Sequence, residues 1–312
     1  MHVSPQLTPP PAPSEEELRA VGPRIRMMMP QLTGLEARVV DLVLGSRDFT
    51  ELTPLQQVAT ACDVSEAMVV KVAKKLGYGG YRDFRASLAA YNRLPIVELH
   101  QEISPDDDTP TMMQKVFRTS IQALEETLAI LEPAAIDEAA ELFHGARNRD
   151  FYGLGGSAQI ARDAAHKFLR IGVRTSVQDD AHMMAMSASL LGPDDVVAAF
   201  SHSGETDAVI DAVKIARGAG AKIVVITNHA RSTLGALGDI TLCSTAQGSP
   251  LTGENSAARI AQLNILDVIF VAVAQRNMAA AEANLEKTIR SVASKRKARA
   301  NDLTRSADRR RR

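Results

Sequence analysis

The spacing of apolar residues divides the chain into two unlike halves. From about residue 21 to residue 94 apolar positions recur at helical spacing between short polar breaks. After a helical stretch over 111–144, the chain carries short apolar runs, most of them separated by amphipathic segments, at 150–153, 173–177, 196–200, 223–227 and 240–244. Such alternation is typical of a parallel sheet covered on both faces. The pattern therefore predicts an all-α domain followed by a three-layer αβα domain with a five-stranded, mostly parallel sheet.

Proline and acidic residues mark the predicted domain boundaries. Residues 1–14 hold five of the fourteen prolines, and three more lie between residues 95 and 110 around the acidic run 106–108. A length of 312 residues also favours two domains. We therefore predict a disordered arm over 1–20, a helical domain over 21–97, a linker over 98–112, the α/β domain over 113–280 and a basic tail over 281–312.

Cysteine usage and the order of apolar residues bear on the cellular setting. Cys62 and Cys243 lie far apart without metal-ligand spacing, so we predict no disulfide framework, no metal site and no cofactor. The sequence shows no signal-peptide pattern, and no run approaches the roughly 18 apolar residues of a membrane span. We expect a cytoplasmic protein without a membrane partner.

The net charge of −1 conceals a separation of charge along the chain. Residues 98–285 hold 14 basic and 24 acidic residues, whereas residues 286–312 hold 11 basic and 3 acidic residues. Within the helical half, residues 65–93 hold six basic and two acidic residues, an excess that favours phosphate binding. The basic tail is compatible with a disordered phosphate-binding arm or with a solvated end.

Capping signals in the helical half predict a helix-turn-helix motif. Thr33 with Glu36 is a capping box, and 53–56 (TPLQ) is a second one that opens a short helix ending near Ala61. A three-residue turn follows over 62–64, and Ser65 caps a third helix that Gly77 terminates. Two short helices across such a turn are typical of DNA-binding proteins.

The third helix has an apolar stripe and a basic face. Its buried stripe is predicted at 69, 72, 73 and 76, and the opposite face carries lysines that suit phosphates or guanine edges. A solvated lysine face on an ordinary helical bundle is the alternative. The candidate DNA-contacting residues are Ser65, Glu66, Ala67, Val70, Lys71, Lys74 and Lys75.

Two loops in the α/β half suit a phosphate. The segment 151–157 (FYGLGGS) runs from a strand end through a glycine-rich turn to Ser157 and a helix N-terminus. With Asp179, this segment also satisfies a dinucleotide fingerprint, which is a weak signal by itself. The second segment, 201–206 (SHSGET), places three hydroxyls around one glycine, and a nicotinamide fold has no need of it. Hydroxyls of Ser201, Ser203 and Thr206 that merely cap a helix and fill a turn are the remaining alternative.

Longer stretches carry a family resemblance. Residues 151–172 and 201–228 look like a sugar isomerase (SIS) domain, and 64–84 (VSEAMVVKVAKKLGYGGYRDF) is similar to the helix-turn-helix of the RpiR/MurR regulators. The resemblance implies a phosphosugar-binding αβα fold behind a DNA-binding unit, and it implies an acid near the sugar at Glu254. Met68, Lys71 and Asp63 depart from the family pattern, so no operator sequence is carried over. The candidate ligand-binding residues are Gly155, Gly156, Ser157, Ser201, His202, Ser203, Gly204, Thr206 and Glu254, with His202 either a ligand contact or a solvated loop side chain.

The resemblance favours a regulator over an enzyme. We expect a DNA-binding regulator of a carbohydrate-catabolism operon, a repressor rather than an activator, whose partners are operator DNA and a sugar phosphate effector. No catalytic residue is expected, and the alternative is a sugar-phosphate isomerase or lyase with Glu254 as base. A homodimer or homotetramer is expected because a dimer spans two half-sites. The apolar helix predicted over 255–275 suits both core packing and a subunit interface.

Overall fold

Contacts within the computed structural model group the chain into two compact units. The structure describes residues 14–95, 103–246 and 256–309, with side chains up to residue 293. The helical unit comprises residues 14–130 together with 245–246, and the α/β unit comprises residues 131–244 together with 256–309. The predicted order, a helical domain before an α/β domain, is confirmed.

Seven α-helices form the described part of the helical unit, and α2 to α6 share one apolar core. The largest fully buried side chains of this core are Ile25, Phe84, Leu88 and Tyr91. The helices run over Glu15–Arg19 (α1), Val21–Met28 (α2), Gly34–Val43 (α3), Leu55–Ala61 (α4), Glu66–Lys75 (α5), Tyr81–Asn92 (α6) and Thr109–Leu128 (α7).

Helix starts confirm one predicted capping box and correct another. Thr33 Oγ1 accepts the Glu36 N–H at 3.4 Å, and Glu36 accepts the Thr33 N–H at 2.9 Å, as predicted. The prediction that Thr53 caps α4 is wrong, because Pro54 is the N-cap residue and makes no side-chain cap. Thr53 Oγ1 instead accepts the Thr50 N–H at 2.8 Å, so it closes the preceding turn.

Two further expectations about the ends of the helical unit change. Residues 14–19 belong to a capped helix, since Ser14 and Glu17 form a capping box at the start of α1, so the disordered arm predicted over 1–20 is wrong there. Residues 1–13 lie outside the described residues. Helix α7, most of which we predicted within the α/β domain, packs in the helical unit.

A five-stranded parallel sheet forms the centre of the α/β unit. Its strand order is β2-β1-β3-β4-β5, and all four pairings are parallel. β2 begins later than the predicted 173–177, because the Val173 N–H donates to the Phe168 carbonyl and so still belongs to the C-terminal turn of the preceding helix. The strands are Arg149–Gly153 (β1), Ser176–Gln178 (β2), Val196–Phe200 (β3), Lys222–Thr227 (β4) and Ile240–Cys243 (β5).

Helices cover both faces of this sheet, which gives the predicted three layers. Alternate strand residues point to opposite faces, so Phe151 lies in one core cluster and Tyr152 in the other. The first cluster contains α8, α9, α12 and α13, and the second contains α10 and α11. The helices run over Pro133–Gly145 (α8), Gly156–Arg170 (α9), Ala181–Ala188 (α10), Asp207–Gly218 (α11), Ser256–Arg276 (α12) and Met278–Arg309 (α13).

Helix α12 confirms the apolar helix predicted over 255–275 as a core element. Within the described ranges it is the one helix that is long and apolar enough to cross a membrane. Buried core helices of soluble proteins meet the same criterion of length and hydropathy. Its inner face, including Ile265, Leu266 and Ile269, is buried against the sheet cluster. Ile260, Val268 and Val271 on the remaining surface are 37%, 47% and 50% exposed.

Helix α13 changes the description of the basic tail. Its backbone is helical through Arg309, so the alternative of a disordered arm is wrong up to that residue. Asn284 anchors its first half, because its side-chain amide donates to the Ile171 carbonyl at 3.1 Å. Residues 310–312 lie outside the described residues.

Candidate functional site

The turn between α4 and α5 has the geometry of a helix-turn-helix. Asp63 adopts a left-handed conformation with φ of 53°, which a short polar side chain tolerates. The Arg38 guanidinium donates to the Cys62 carbonyl, and the Cys62 thiol lies 3.6 Å from the Arg38 carbonyl. Helix α3 therefore holds this turn in place. The Ser65 hydroxyl caps α5 by accepting the Met68 N–H at 3.2 Å.

Helix α5 buries the stripe that the sequence predicts. Val69, Val72 and Ala73 are fully buried, and Leu76 is half-buried at the end of the helix. The seven predicted DNA-contacting residues all lie at the N-cap or along this one helix. Ser65, Glu66, Ala67, Lys71 and Lys74 are exposed, whereas Val70 and Lys75 are half-buried.

A buried carboxylate on α3 organises two of these lysines. Lys75 Nζ lies 2.7 Å from one Glu36 oxygen and Lys71 Nζ lies 3.2 Å from the other, while the Glu36 side chain is 1% exposed. The hydrogen bonds from Lys75 and the Thr33 N–H lower the pKa of Glu36 to about 2. Lys71 and Lys75 on the basic face of α5 are thus ion-paired to α3 through Glu36, whereas Lys74 on the same face does not pair with Glu36.

The two predicted phosphate loops leave the sheet side by side. Gly153, the last residue of β1, pairs with Phe200, the last residue of β3. The following helices go to opposite faces, because α9 packs in the first core cluster and α11 in the second. In an open parallel sheet this switch point forms a crevice at the carboxyl ends of the strands, where ligands bind. We call residues 153–157 the glycine loop and residues 201–206 the serine loop.

The glycine loop reaches the start of α9 through a turn that requires glycine. Gly155 has φ of 56° and is the N-cap residue, without a side chain to cap the helix. A Cβ on Gly153 would lie 2.9 Å from the Ser157 main chain, so only glycine allows this close approach. The Ser157 N–H donates to the Leu154 carbonyl at 3.1 Å, and Gly156 is the first residue of the helix, where main-chain N–H groups lack an intrahelical acceptor.

The serine loop is held by its own hydroxyls. Ser201 is buried, accepts the Gly204 N–H at 3.0 Å and shares a 3.0 Å hydrogen bond with Thr206 Oγ1. Ser203 is exposed and accepts the Glu205 N–H at 3.2 Å. Gly204 has φ of 70°, and a Cβ there would meet the Ser232 side chain at 1.9 Å. Thr206 is the N-cap residue of α11 but makes no side-chain cap, so the capping part of the alternative is wrong for Thr206, while Ser201 and Ser203 do bond N–H groups within the turn.

A buried polar network joins the serine loop to the ends of β4 and β5. Thr227 Oγ1 and the Asn228 N–H donate to the His202 carbonyl at 3.2 and 3.1 Å. The Ser244 hydroxyl donates to the Asn228 side chain and accepts from Gln262 of α12 at 3.2 Å. All four donors belong to buried residues. The sequence reasoning missed this network because its members come from four separate segments: the serine loop, the ends of β4 and β5, and α12.

Two imidazoles lie beside the serine loop. The rings of His202 and His229 are 5.9 Å apart and nearly perpendicular. Burial lowers the pKa of His229, while the nearby Glu205 carboxylate partly opposes that shift. His229 Nδ1 is buried without a hydrogen-bond partner among the described residues. The sequence signal for His229 was its position two residues beyond a strand end, at the same edge as the serine loop.

The other residues predicted to bind a ligand have different outcomes in the structure. The structure brings Gly155, Gly156 and Ser157 to the edge that Ser201–Thr206 occupies, whereas Glu254 lies outside the described residues. Asp179, which the dinucleotide alternative required, pairs with Arg162. Within the described ranges no group of three or more His, Cys, Asp or Glu side chains could hold a metal ion.

Comparison with known families agrees with both halves of this description. Residues 20–93 match the rpiR-family helix-turn-helix domain, and residues 142–272 match the SIS domain. A relative supplies the deciding observation: the chain is 42% identical over 268 residues to the HTH-type transcriptional regulator RpiR of Escherichia coli K12, covering 86% of this chain and 90% of that protein. This chain belongs to the RpiR family. It is thus an HTH-type transcriptional regulator with a SIS domain, as the resemblance implied.

One solved structure extends the similarity to most of the chain, and another extends it to the SIS domain. The Vibrio vulnificus NanR protein, solved in complex with ManNAc-6P, is 26% identical with a TM-score of 0.55 and covers 87% of this chain and 98% of its own. The sugar isomerase domain of an RpiR transcription factor from Sphaerobacter thermophilus is 22% identical with a TM-score of 0.53, covering 59% and 99%. The second similarity shows the fold of the SIS domain.

Proposed function

We propose that this RpiR-family regulator represses a carbohydrate-catabolism operon in the cytoplasm and that a sugar phosphate at the serine-loop edge controls its affinity for operator DNA. The observation that carries the proposal is the Gly153–Phe200 pair, which brings the glycine and serine loops together at the switch point of the sheet. The same chain carries a DNA-binding helix, so a ligand bound at this edge can act by controlling DNA binding and need not be converted to a product.

Helix α5 supplies the proposed DNA contacts. Its N-terminal turn, with Ser65, Glu66 and Ala67, is exposed where recognition helices reach base edges. Lys71 and Lys74 extend the same exposed face toward phosphates, and Val70 suits a thymine methyl. Lys75 can make its proposed phosphate contact only after its ion pair with Glu36 breaks.

The loops supply the proposed ligand contacts. In this proposal, main-chain N–H groups at the start of α9 and the hydroxyls of Ser203 and Thr206 bind the oxygens of a phosphate dianion in a space at the carboxyl ends of β1 and β3. His202 and His229 stand beside this space with imidazole groups that can bind a sugar hydroxyl or a phosphate oxygen. The V. vulnificus relative solved with ManNAc-6P supports a phosphosugar as the ligand class.

The proposed working form is a homodimer or homotetramer. The outer face of α12 supports it, because Ile260, Val268 and Val271 are spaced along one side of the helix and remain exposed in the single chain. We expect Val268→Lys to lower the mass measured by light scattering, and Ile289→Lys, at an exposed position of α13, to leave it unchanged. A wild-type monomer at micromolar concentration would contradict this part of the proposal.

One experiment tests the regulator against an enzyme. Fluorescence anisotropy would follow binding to DNA from upstream of the protein's own gene cluster, with and without glucose 6-phosphate, ribose 5-phosphate and N-acetylmannosamine 6-phosphate. We expect DNA binding that at least one of these compounds weakens. Absence of DNA binding at low salt, together with turnover of a sugar phosphate, would favour an isomerase or lyase instead.

A further inference from the structure

Helix α7 is locked into the helical unit by a buried charged cluster. The Glu126 carboxylate is 1% exposed and accepts hydrogen bonds from Tyr91 Oη and Gln122 Nε2, both at 2.8 Å. Arg26 of α2 also donates to it and lies 2.9 Å from Tyr91 Oη. Removing one member would leave a buried charge unpaired, which is strongly unfavourable. α7 therefore moves together with α2 and α6 of the DNA-binding unit.

The next residue of α7 holds a segment that comes from far along the chain. The Thr245 N–H donates to Thr127 Oγ1 at 3.0 Å, and Thr127 Oγ1 lies 3.4 Å from the Thr245 carbonyl. Both residues are 3% exposed. Since 118 positions separate them, this contact is a tertiary connection, and it uses only the main chain of Thr245.

The residue before Thr245 belongs to the buried polar network that joins the serine loop to the ends of β4 and β5. Ser244 is fully buried, its N–H donates to the Thr227 carbonyl at 3.0 Å, and its hydroxyl donates to Asn228. Thr227 and Asn228 in turn both donate to the His202 carbonyl of the serine loop. Two residues joined by one peptide bond are thus fixed to the serine loop on one side and to α7 on the other.

We propose that the Thr127 hydroxyl and the main chain of Thr245 are positioning groups that transmit sugar phosphate binding from the serine loop to the DNA-binding helices. This inference rests on the proposed function. Coupling between two sites requires an element with two arrangements that each ligand stabilises differently. The 244–245 peptide is planar and short, so a shift of Ser244 with the serine loop displaces Thr245 and pulls on α7.

The test compares three variants of the full chain. Thr127→Val removes the acceptor while keeping a β-branched shape, and Thr127→Ser keeps the hydroxyl. Thr245→Val is the matched control, because the Thr245 hydroxyl has no partner among the described residues and its main chain is unchanged. Anisotropy would give the ratio of DNA affinities without and with the sugar phosphates named above, and calorimetry would give the affinity for each sugar phosphate.

We expect a ratio of about 5 to 150 for the wild type, the usual range of allosteric coupling. Thr127→Val should lower the ratio about fivefold, the effect of one ordinary hydrogen bond, while DNA affinity without ligand and ligand affinity without DNA stay within about twofold. Thr127→Ser and Thr245→Val should keep the wild-type ratio. Hydrogen exchange at the Thr245 amide should change on ligand binding in the wild type and become faster in Thr127→Val.

Two results would overturn the inference by itself. One is a wild type that responds to a sugar phosphate while Thr127→Val responds equally. The other is a Thr127→Val variant that loses DNA affinity without ligand, since this would assign Thr127 to folding rather than to coupling. A wild type that binds DNA but responds to none of the sugar phosphates would contradict the proposed function, and the coupling with it.

Discussion

The DNA-binding helix and the serine-loop edge are built in opposite ways. The candidate contacts of α5 are neighbours in sequence, lie on one helix and are mostly exposed. The serine-loop edge collects residues from the ends of β1, β3, β4 and β5 and from α12, and much of it is buried and hydrogen-bonded within the chain. Substitutions of separate exposed side chains on one helix should have additive effects on binding, whereas substitutions within one buried hydrogen-bond network should have coupled effects.

The serine loop offers the largest test of this contrast. We expect Ser201→Ala combined with Ser203→Ala to weaken sugar phosphate binding by roughly 100-fold or more. The Ser203 change removes a proposed hydrogen bond to a charged group, which contributes about 1.5–3 kcal/mol, and the Ser201 change leaves the Gly204 N–H without its acceptor and Thr206 Oγ1 without its partner. DNA affinity without ligand should stay within about threefold. Calorimetry and anisotropy measure the two affinities, with exposed Ser189→Ala on the rim of α10 as the control. Loss of DNA binding with an unchanged ligand response would contradict this division of roles.

A comparison within α5 gives the next largest effect. We expect Lys74→Ala to reduce the slope of log affinity against log salt by about 0.9, the value for one phosphate contact. Lys75→Ala should change this slope less and lower the free energy of unfolding instead, because it removes a partner of Glu36. Anisotropy between 50 and 200 mM salt and urea denaturation separate the two effects. Lys214→Ala, at an exposed position of α11, is the control. Equal slopes for Lys74→Ala and Lys75→Ala would assign both lysines to DNA.

The Glu36 carboxylate predicts how acid affects the helical unit. Its pKa of about 2 in the folded protein lies below the usual 4.5, so the folded state holds fewer protons than the unfolded state between these values. Its contribution to stability is therefore complete above about pH 4.5 and is lost as the pH falls toward 2. Glu36→Gln should be less stable than the wild type at pH 7, and this difference should shrink at pH 3 in urea denaturation. A constant difference would contradict the role of the ion pairs.

His229 predicts the smallest effect, in the other unit. Burial lowers its pKa below the usual 6.5, so as the pH falls the unfolded state gains a proton before the folded state does. The wild type should lose a small amount of stability as the pH falls through 6.5, and His229→Asn should lose less. Urea denaturation at pH 7.5 and 5.5 measures this difference, with His182→Asn at an exposed position as the control. Equal losses in wild type and His229→Asn would contradict the buried neutral state.

Local chemistry accounts for the parts of the fold that were predictable. Ser65, the apolar stripe of α5 and the positive-φ position at Gly77 each act within a few residues, so the helix-turn-helix could be recognised directly. The apolar strands β1, β3, β4 and β5 were placed within one residue for the same reason. The exposed edge strand β2 and the cap at Thr53 were misplaced, because a helix C-terminal turn and a preceding turn competed for the same residues.

The sequence by itself determined two domains, their order, the recognition helix and the two loops, since these depend on contacts between near neighbours. Only the tertiary structure decided that Gly153 and Phe200 end side by side, that Glu36 holds two of the lysines and that α7 belongs with the DNA-binding helices. It also decided that Thr245 is hydrogen-bonded to Thr127 while Ser244 is hydrogen-bonded to Asn228. Each of these relations joins residues far apart along the chain, and the spacing of side chains carries no record of such pairs.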